Sequence, residues 1–453
     1  MTKHRTPSDA WLVCNNKVYD VSGWHDHPGG DVIFTAAGDD ATDTFHMFHG
    51  QGASKELSQF CIGELEPESR KQWSTTEAKS EEQMNFERGY RSLRVKLKKL
   101  GLFESSPLYY TYKQLSTLAL ALVAAYIICQ NTEMSTTARC MRLLGASLLG
   151  LYFQQCGWLA HEILHHQVFT KNRTMGHYFG LLWGNLAQGF SCSWWMNKHN
   201  THHSVPNVHA TGDDAQNGDP DIDTMPYLAW SRPMLKLVGN SRFAQFMVTH
   251  QHLIYLPLLA LARVSWLQQS LAYVLNLDET AGRQVKGAPG ELKPVAYEKT
   301  ELFLLGLHYT WYLSLAFAHP SILDGLLFLV VSNVVCGLTL AVVFGLGHNG
   351  MSVYDADQRP DYWKLQVTTT RNVTQDPFGF VHWFCGGLDY QVEHHLFPTV
   401  PRHNLKEVCK LTKEFCKEYG VNYHEAGILE GTKEVIKHLK DLSKEFINDF
   451  PAM

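Results

Sequence analysis

The sequence predicts a multi-domain protein in which a small α+β domain precedes an all-α integral membrane domain. Four transmembrane helices and a cytosolic cap built around histidine clusters are expected in the second part. Three observations support this fold class. The chain has 453 residues, more than one ordinary core holds. Strand-and-turn patterns occur near the amino terminus, and long apolar runs lie between polar ends at 1–100 and 396–453. We therefore expect domains at 1–66 and 101–395, a linker with a basic helix at 67–100, and a helical cap at 396–453.

The amino-acid composition argues against nucleic-acid binding, a disulfide framework and secretion. The net charge of -5 and a pI of about 6.6 give no sign of nucleic-acid binding. The ten cysteines contain no Cys-x-x-Cys pair, so we expect reduced packing residues in a cytosolic or membrane setting. The first residues have no apolar segment typical of a cleavable secretory signal, so membrane insertion is expected to use internal helices.

The first 66 residues have the pattern of a haem-binding domain. Two short strands are expected around an Asn15-Asn16 turn. His27 stands at a helix start, followed by glycines that allow the backbone to approach a flat ligand. A second histidine about twenty residues later, among phenylalanines, suits a six-coordinate haem, and both His46 and His49 occupy that region. Residues 11–65 resemble cytochrome b5, and this resemblance implies a haem b held by His27 and His49, with His46 as the competing ligand.

The apolar middle of the chain predicts two membrane hairpins. Residues 66–80 have the composition of an exposed linker, and 86–100 form a basic helix expected to lie on anionic headgroups. Apolar runs of roughly the ~20 residues that a bilayer requires follow at 115–129, 141–160, 302–318 and 322–346. With the basic stretch in the cytosol, the two hairpins return the chain to the cytosol at His161 and at His348.

Three histidine clusters and one lone histidine predict a metal centre. Positions i, i+3 and i+4 of a helix share one face, so the imidazoles of a cluster converge. One zinc ion takes four ligands, so this many imidazoles favours two metal ions. A neighbouring haem favours a redox metal, and imidazole suits iron. The candidates are His161, His165 and His166 in the first cluster, His199, His202 and His203 in the second, Gln391, His394 and His395 in the third, and the lone His348.

Acidic residues lie close to these clusters. Glu162 and Glu393 point away from the shared histidine faces, so we expect them to orient ligands or to cap helices. The acidic run at 213–223 is expected to be a solvated loop with turn chemistry.

The order of the clusters and the haem-type amino terminus resemble the membrane fatty acid desaturases, specifically the front-end group with a fused cytochrome b5. The resemblance covers nearly the whole chain. Gln391, where other membrane desaturases have histidine, is the mark of the front-end enzymes, and the sequence is most similar to the Δ6 type. Glu162 departs from the family, which more often has Asp there. Further matching segments are Trp158-Leu-Ala-His161, Trp194-Trp195-Met-Asn-Lys-His199, Asp219-Pro-Asp-Ile-Asp-Thr and Trp383-Phe-Cys-Gly-Gly-Leu.

The resemblance implies a non-haem di-iron enzyme that uses O2 as co-substrate. NADH-cytochrome b5 reductase is the implied electron donor, and an acyl-lipid or acyl-CoA is the implied substrate. The implied location is the endoplasmic reticulum membrane, in contact with membrane lipid, with the haem domain and the histidine clusters facing the cytosol. A buried acyl tunnel is expected, and Trp183, Phe190, Trp194 and Trp195 are candidates for its wall. The implied iron ligands are His161, His165, His199, His202, His203, His348, His394 and His395, and Gln391 joins the catalytic set.

Other interpretations remain at this point. The same family includes Δ5 and Δ8 front-end enzymes, and the same di-iron class includes acyl or sphingoid hydroxylases and sphingoid desaturases. A non-enzymatic electron carrier or metal-handling protein is less favoured. A transporter would place its ligands at mid-membrane rather than where helices leave the membrane.

Overall fold

The computed structural model describes residues 3–50, 52–66, 81–210, 218–277, 292–293 and 295–449. Its amino-terminal part is an α+β unit built on a four-stranded antiparallel sheet in the order β1-β2-β3-β4. Asn15 and Asn16 both have positive φ angles, 52° and 65°, which suits the tight turn of a β-hairpin. The predicted pair of strands is confirmed. The strands are β1 Arg5–Thr6, β2 Asp9–Cys14, β3 Lys17–Asp20 and β4 Cys61–Glu64.

The remainder of the described chain is mostly helical. A 3₁₀ helix, Asp31–Ala36, and helices α1 and α2 complete the amino-terminal unit, and a π-helical stretch, Leu181–Gln188, continues α6. Short parallel strand pairs join β5 Val208–His209 to β6 Tyr354–Asp355 and β7 Asn372–Val373 to β8 Glu425–Ala426. The helices are α1 Thr42–Phe48, α2 Ala53–Ser58, α3 Glu81–Lys99, α4 Pro107–Gln130, α5 Thr136–Leu164, α6 Arg173–Gly180, α7 Cys192–Ser204, α8 Arg232–Leu235, α9 Arg242–Leu259, α10 Ala262–Leu275, α11 Glu298–Phe317, α12 Ile322–His348, α13 Tyr362–Thr368, α14 Phe380–Phe384, α15 Gln391–Leu396, α16 Leu405–Glu418 and α17 Ile428–Asp449.

Among the described residues, α4 and α12 are the helices long and apolar enough to cross a membrane. The other two predicted spans also form helices, α5 and α11, but these do not reach the same mean hydropathy. Polar side chains account for the difference, because α5 carries Arg142, Gln154 and Gln155 and α11 carries Glu301 and His308. The structure therefore supports two of the four predicted spans by length and composition.

Helix α5 lies between α4 and α12 and is the central packing element of the bundle. Glycines permit the close approach. A Cβ on Gly145 would lie 2.6 Å from the Ile128 side chain on α4, and one on Gly150 would lie 2.8 Å from the Ser332 carbonyl oxygen on α12. This packing places the carboxyl end of α5 beside that of α12, where His161 and His348 stand.

The predicted basic helix forms as α3, but its apolar face packs on protein rather than facing lipid. Phe86, Tyr90, Leu93 and Leu97 are buried, and α3 contacts α16 of the carboxyl-terminal part. The predicted linker at 67–80 lies outside the described residues. Helices α16 and α17 form the expected helical carboxyl-terminal segment, and α17 packs on α9 and α12.

Candidate metal centre

Helix ends and two short helices bring the histidine clusters together. His161 lies in the last turn of α5, His165 follows directly after that helix, and His348 is the last residue of α12. The second cluster lies on α7 and the third on α15. The histidines of these clusters that form the centre are almost completely shielded from solvent. Burial of this many imidazoles, which are polar on both ring nitrogens, requires partners for those nitrogens.

The rings separate into two groups, each of which could hold a metal ion. Within each group, one ring nitrogen per residue lies within 4.8 Å of the others. This division matches a centre with two metal sites side by side. The first group is His161, His165, His199, His203 and His394, and the second is His202, His348 and His395.

In the second group, other parts of the protein orient each ring. His202 Nδ1 lies 2.9 Å from Asp219 Oδ2, His348 Nδ1 lies 3.1 Å from the Thr369 carbonyl oxygen, and His395 Nδ1 lies 2.9 Å from Gln366 Oε1. A ring that donates from Nδ1 presents the Nε2 lone pair on its other side. All three residues therefore direct an Nε2 lone pair toward the centre.

The arrangement of these lone pairs fits metal ions. The Nε2 atoms of His202 and His348 lie 3.2 Å apart, and two acceptor nitrogens cannot hydrogen-bond each other. In the first group, His199 Nε2 lies 2.9 Å from His165 Nε2 and 3.0 Å from His203 Nε2. Among the described residues, the buried Nε2 atoms of His161, His394 and His395 have no hydrogen-bond partner. One cation in each group would satisfy these nitrogens.

Electrostatics keep most of these rings in the neutral form that binds metals. Burial, followed by the neighbouring imidazoles, lowers the pKa values of His199, His203 and His395 well below the usual histidine value. His202 differs: burial alone would lower its pKa, but the Asp219 and Asp221 carboxylates together raise it above the usual histidine value. Asp219 thus favours positive charge at this ring, which either a proton or a metal ion supplies.

Gln391 faces the second group. Its side-chain Nε2 lies 2.7 Å from His348 Nε2, and its buried Oε1 has no hydrogen-bond partner in the part of the chain that the structure describes. Gly347 leaves the space for it, because a Cβ there would lie 2.9 Å from Gln391 Cγ. The amide therefore occupies a position where it could interact with a bound ion or with its water.

Asp219 corrects the expectation of a solvated acidic loop. Asp219 is 3% exposed and accepts hydrogen bonds from His202 and from the Asn207 backbone N–H. Asp221 is more exposed, and its carboxylate lies 3.7 Å from His202 Nδ1. The other acidic residues of the run include Asp213 and Asp214, which lie outside the described residues. The segment Asp219-Pro-Asp contained the signal for this role, a carboxylate seventeen positions after a ligand-type histidine.

Neither predicted glutamate orients a histidine of the centre. Glu162 pairs with the buried Arg402 at 3.3 Å, and Glu393 accepts from Asn372 Nδ2 and from the Tyr423 hydroxyl, both at 2.8 Å. Burial raises the pKa of Glu393 to about 7. Glu162 therefore ties α5 to Arg402, and Glu393 ties α15 to Asn372 and Tyr423.

A cavity of about 210 Å³ opens beside the second group. His199, His202 and His348 form part of its wall, and Trp194 and Trp195 are two of the four aromatic residues predicted to line an acyl tunnel. The other two, Trp183 and Phe190, do not line this cavity. Trp183 instead donates from Nε1 to the Gln114 side chain at 3.2 Å. The cavity is apolar enough for a hydrocarbon chain and touches the centre directly.

A second, larger cavity of about 1070 Å³ lies between His27 and His49. Their ring centroids are 5.9 Å apart, and each Nδ1 lies 3.0 Å from a backbone carbonyl, so both rings present Nε2 to the space between them. Burial lowers both pKa values, that of His49 to about 4, which keeps the rings neutral. His46 lies instead 3.1 Å from the Asn15 side chain. The space suits a haem iron held between two imidazoles, with a metal–nitrogen bond of about 2 Å on each side.

His166 belongs to neither metal group. Its backbone has a φ of 60°, and its side chain lines the larger cavity next to His165. The first cluster therefore contributes two rings to the metal groups and a third to the wall of the haem cavity.

Comparison with known proteins agrees with this geometry. Residues 139–427 match the fatty acid desaturase family, and residues 1–66 match the cytochrome b5-like haem/steroid-binding domain. The chain belongs to the fatty acid desaturase family. It is a front-end desaturase with a fused cytochrome b5 domain, and its haem-type cavity and buried histidines are consistent with a haem and a di-iron site.

Relatives named for different double-bond positions are similar to this desaturase. An acyl-lipid (9-3)-desaturase of Physcomitrium patens is 38% identical over 445 residues, covering 97% of this chain and 77% of that protein. A Δ8 fatty acid desaturase of Euglena gracilis is 34% identical, covering 94% of each chain. A Δ6 fatty acid desaturase of Caenorhabditis elegans is 32% identical, covering 92% of each chain.

Proposed function

We propose that this desaturase is a Δ6-type front-end enzyme of long-chain polyunsaturated fatty acid synthesis. It introduces a cis double bond between an existing double bond and the carboxyl end of the acyl chain. The observation that carries this proposal is the cavity walled by His199, His202 and His348, which puts a hydrocarbon-sized space against a two-site histidine centre. The similarity to the Δ6 enzyme of Caenorhabditis elegans supports the position of the new double bond.

The two histidine groups would hold two iron ions. Bound there, the ions supply the O2-dependent removal of hydrogen from an unactivated methylene, which no amino-acid side chain can perform. One ion is assigned to His161, His165, His199, His203 and His394. The other is assigned to His202, His348 and His395, with Gln391 beside it.

The chain's own residues position the reactants. Asp219, Thr369 and Gln366 hold three imidazoles by Nδ1, so the rings cannot rotate away from the centre. Trp195 stacks on His199 with ring centroids 4.3 Å apart and excludes water on that side. The walls of the cavity hold one methylene of the acyl chain next to the centre, and chain length from the headgroup selects which one.

His27 and His49 would hold haem b in the fused domain, and the bound haem would supply one-electron transfer. NADH-cytochrome b5 reductase supplies the electrons one at a time. The acyl chain is carried by a phospholipid or by coenzyme A. The domains follow the boundaries 1–66, 67–100, 101–395 and 396–453.

The protein lies in the endoplasmic reticulum membrane with four spans. Two of these are α4 and α12, and the other two are α5 and α11, whose polar side chains face neighbouring helices. Arg142, for example, pairs with Asp324 of α12 at 3.0 Å. In this topology the haem domain and the histidine centre share the cytosolic side.

Δ8 desaturation is the second candidate, favoured by the 34% identity to the Euglena gracilis enzyme. Feeding fatty acids of different chain length to an expression host distinguishes Δ6 from Δ8 desaturation. A host without polyunsaturated fatty acids expresses the chain and receives either eighteen-carbon or twenty-carbon di- and tri-unsaturated acids. A Δ6 product from the eighteen-carbon acids is expected. Conversion of the twenty-carbon acids alone, at Δ5 or Δ8, would reassign the position.

A matched pair of variants ties the product to the centre. His202→Ala removes a ring of the second group. His250→Ala instead removes a histidine outside the centre whose Nδ1 donates to the Phe246 carbonyl oxygen of its own helix. The first variant should give no product, and the second should retain it. A hydroxylated product instead of an olefin would replace the desaturase proposal with the hydroxylase.

A further inference from the structure

The haem domain packs on the helix that carries the second histidine cluster. The 3₁₀ helix Asp31–Ala36 lies against α7, and Thr35 Oγ1 forms a buried hydrogen bond of 2.7 Å with Ser204 Oγ. Asn200 Nδ2 donates to the Gly29 carbonyl oxygen at 3.2 Å. Ser204 follows His203, and Asn200 follows His199, so these contacts adjoin the metal centre itself.

Charge is distributed unevenly across this interface. Asp31 lies 2.9 Å from Lys293 Nζ, and Asp39 lies 3.1 Å from an Arg359 nitrogen. Asp43 accepts from Arg91 through both carboxylate oxygens, at 2.8 and 3.1 Å. In each pair the acid belongs to the haem domain and the base to the rest of the chain. Complementary charge of this kind selects one docking orientation.

The same orientation gives the haem cavity and the metal centre a common wall. The 1070 Å³ cavity that contains His27 and His49 is also lined by His165, His166, Met196 and Asn197. His165 belongs to the five-histidine group. His165 therefore belongs both to the metal centre and to the wall of the cavity in which a haem would bind.

We propose that this docked arrangement is the state in which electrons pass from the haem to the metal centre. The acidic face Asp31, Asp39 and Asp43 seats the haem domain on Lys293, Arg359 and Arg91, and His165 and His166 stand on the route. This inference rests on the proposed function, in which the haem domain delivers electrons, and adds the orientation in which that domain docks. Each desaturation removes two hydrogens from the acyl chain and reduces O2 to two waters, so two external electrons and two protons are needed. The ferrous haem must therefore be reoxidised twice, by one electron each time.

A disulfide across the interface tests this directly. In a background with Ser at Cys61, Cys129 and Cys140, the exposed cysteines of the described chain, Thr35→Cys and Ser204→Cys are combined. Their side-chain oxygens are 2.7 Å apart, near enough for a disulfide. Iron- and haem-loaded protein is reduced photochemically, which bypasses the reductase, and haem reoxidation is followed with acyl substrate and O2.

We expect the disulfide to form readily. The cross-linked protein should then reoxidise its haem at a rate within about twofold of that of the same variant with its two thiols reduced. Failure of the two thiols to pair, or a cross-linked form that reoxidises tenfold more slowly, would overturn the docked state as the transfer state. Added salt should slow the uncross-linked protein about threefold to tenfold and leave the cross-linked protein unchanged. Equal salt sensitivity of both forms would also contradict the proposal.

Charge reversal provides an independent check. Asp39→Arg and Arg359→Asp should each slow reoxidation about threefold to tenfold at low salt, and the double variant should recover most of the rate. Arg232→Asp, which breaks an exposed pair with Asp449 away from the interface, is the control and should leave the rate unchanged. Haem absorbance should persist in all four variants. No recovery in the double variant would sink the assigned pairing, whereas an unmodified chain that makes no product would instead remove the proposed function.

Discussion

In each histidine of the second metal group, the two ring nitrogens have different roles. One nitrogen is held by a carboxylate, an amide or a backbone carbonyl, and the other is left for the centre. The holding groups differ in charge, so the three positions are not equivalent. Only His202 is held by a carboxylate, and its pKa is raised despite burial. Asp219 is therefore the orienting residue with the strongest influence on metal affinity.

Asp219→Asn should lower iron content and product formation about 10–100-fold, with haem retained. The amide cannot accept all the hydrogen bonds that the carboxylate receives from His202, Asn207 and Asp221. Iron per haem in purified protein is the measurement. Asp221→Asn is the control, since that residue is exposed and 3.7 Å from the ring. Equal losses in the two variants would show that Asp219 has no special role.

His49→Ala should abolish the haem absorbance of the full-length chain, while His46→Ala should keep it. His49 faces His27 across the cavity, and His46 turns to Asn15. The two residues lie three positions apart on one short segment. If a substitution in this segment unfolded it, both variants would lose haem, so the His46 variant is the control for local unfolding. Haem binding that survives loss of His49 but not of His46 would reverse the assignment.

Residue-level chemistry was predictable where it follows helical spacing. The i, i+3, i+4 pattern predicted that His199, His202 and His203 face one point, and the structure brings those rings together. Gln366 and Thr369 could not be predicted in this way. They meet His395 and His348 from a separate helix end, and no local periodicity encodes such a contact.

At the scale of elements, the centre depends on how helices end. His161, His165 and His348 lie at the ends of α5 and α12, and the third cluster follows a tight turn at Gly386 and Gly387, with φ angles of 68° and 91°. Trp158 of α5 fits against this turn and donates from Nε1 to the Phe384 carbonyl oxygen at 3.0 Å. The turn therefore sets the position of α15 relative to α5.

Gly386→Ala should destabilise the protein by more than backbone strain alone. The positive φ costs any other residue about 1–2 kcal/mol, and the new Cβ would lie 2.3 Å from Trp158, which adds about 1–3 kcal/mol of overpacking. Gly379→Ala is matched: its φ is 78°, but nothing lies within 4 Å. Thermal unfolding in detergent, together with iron content, measures both. A Gly379 variant as unstable as the Gly386 variant would remove the packing argument.

Apolar runs predicted where four long helices lie, two of which are candidate membrane spans, but not how far the helices extend. The run at 115–129 becomes α4, Pro107–Gln130, because Ser106 caps its start and Pro107 occupies the first turn. The basic helix α3 was placed correctly, yet its partner was not. Its apolar face meets α16, more than 300 residues later, and sequence spacing carries no information on such contacts.

At the scale of the whole molecule, the sequence predicted two functional units but not their contact. Composition and motifs separate a haem unit from a histidine-rich unit. The interface between them depends on single residues such as Thr35, Asp39 and Ser204, none of which belongs to a recognisable motif. The contacts of such surface residues can be identified only when both folded surfaces are known.

The four-span topology makes a prediction about which side of the membrane two exposed cysteines face. Cys61 lies on β4 of the haem domain, and Cys140 lies near the start of α5, across one proposed span from the haem side.

Variants that keep one of these cysteines and lack the other exposed ones are expressed in sealed microsomes. A membrane-impermeant maleimide should label Cys61 in intact vesicles, but Cys140 only after permeabilisation. Labelling on opposite sides would show that α4 crosses the bilayer. Since His165 lines the cavity of the haem domain, the end of α5 lies on the side of Cys61. His161 follows Cys140 by twenty-one residues on this helix, about 30 Å at 1.5 Å per residue, so α5 would then cross back. Labelling of both cysteines in intact vesicles would leave α4 and α5 on the cytosolic face and reduce the proposed spans by one hairpin.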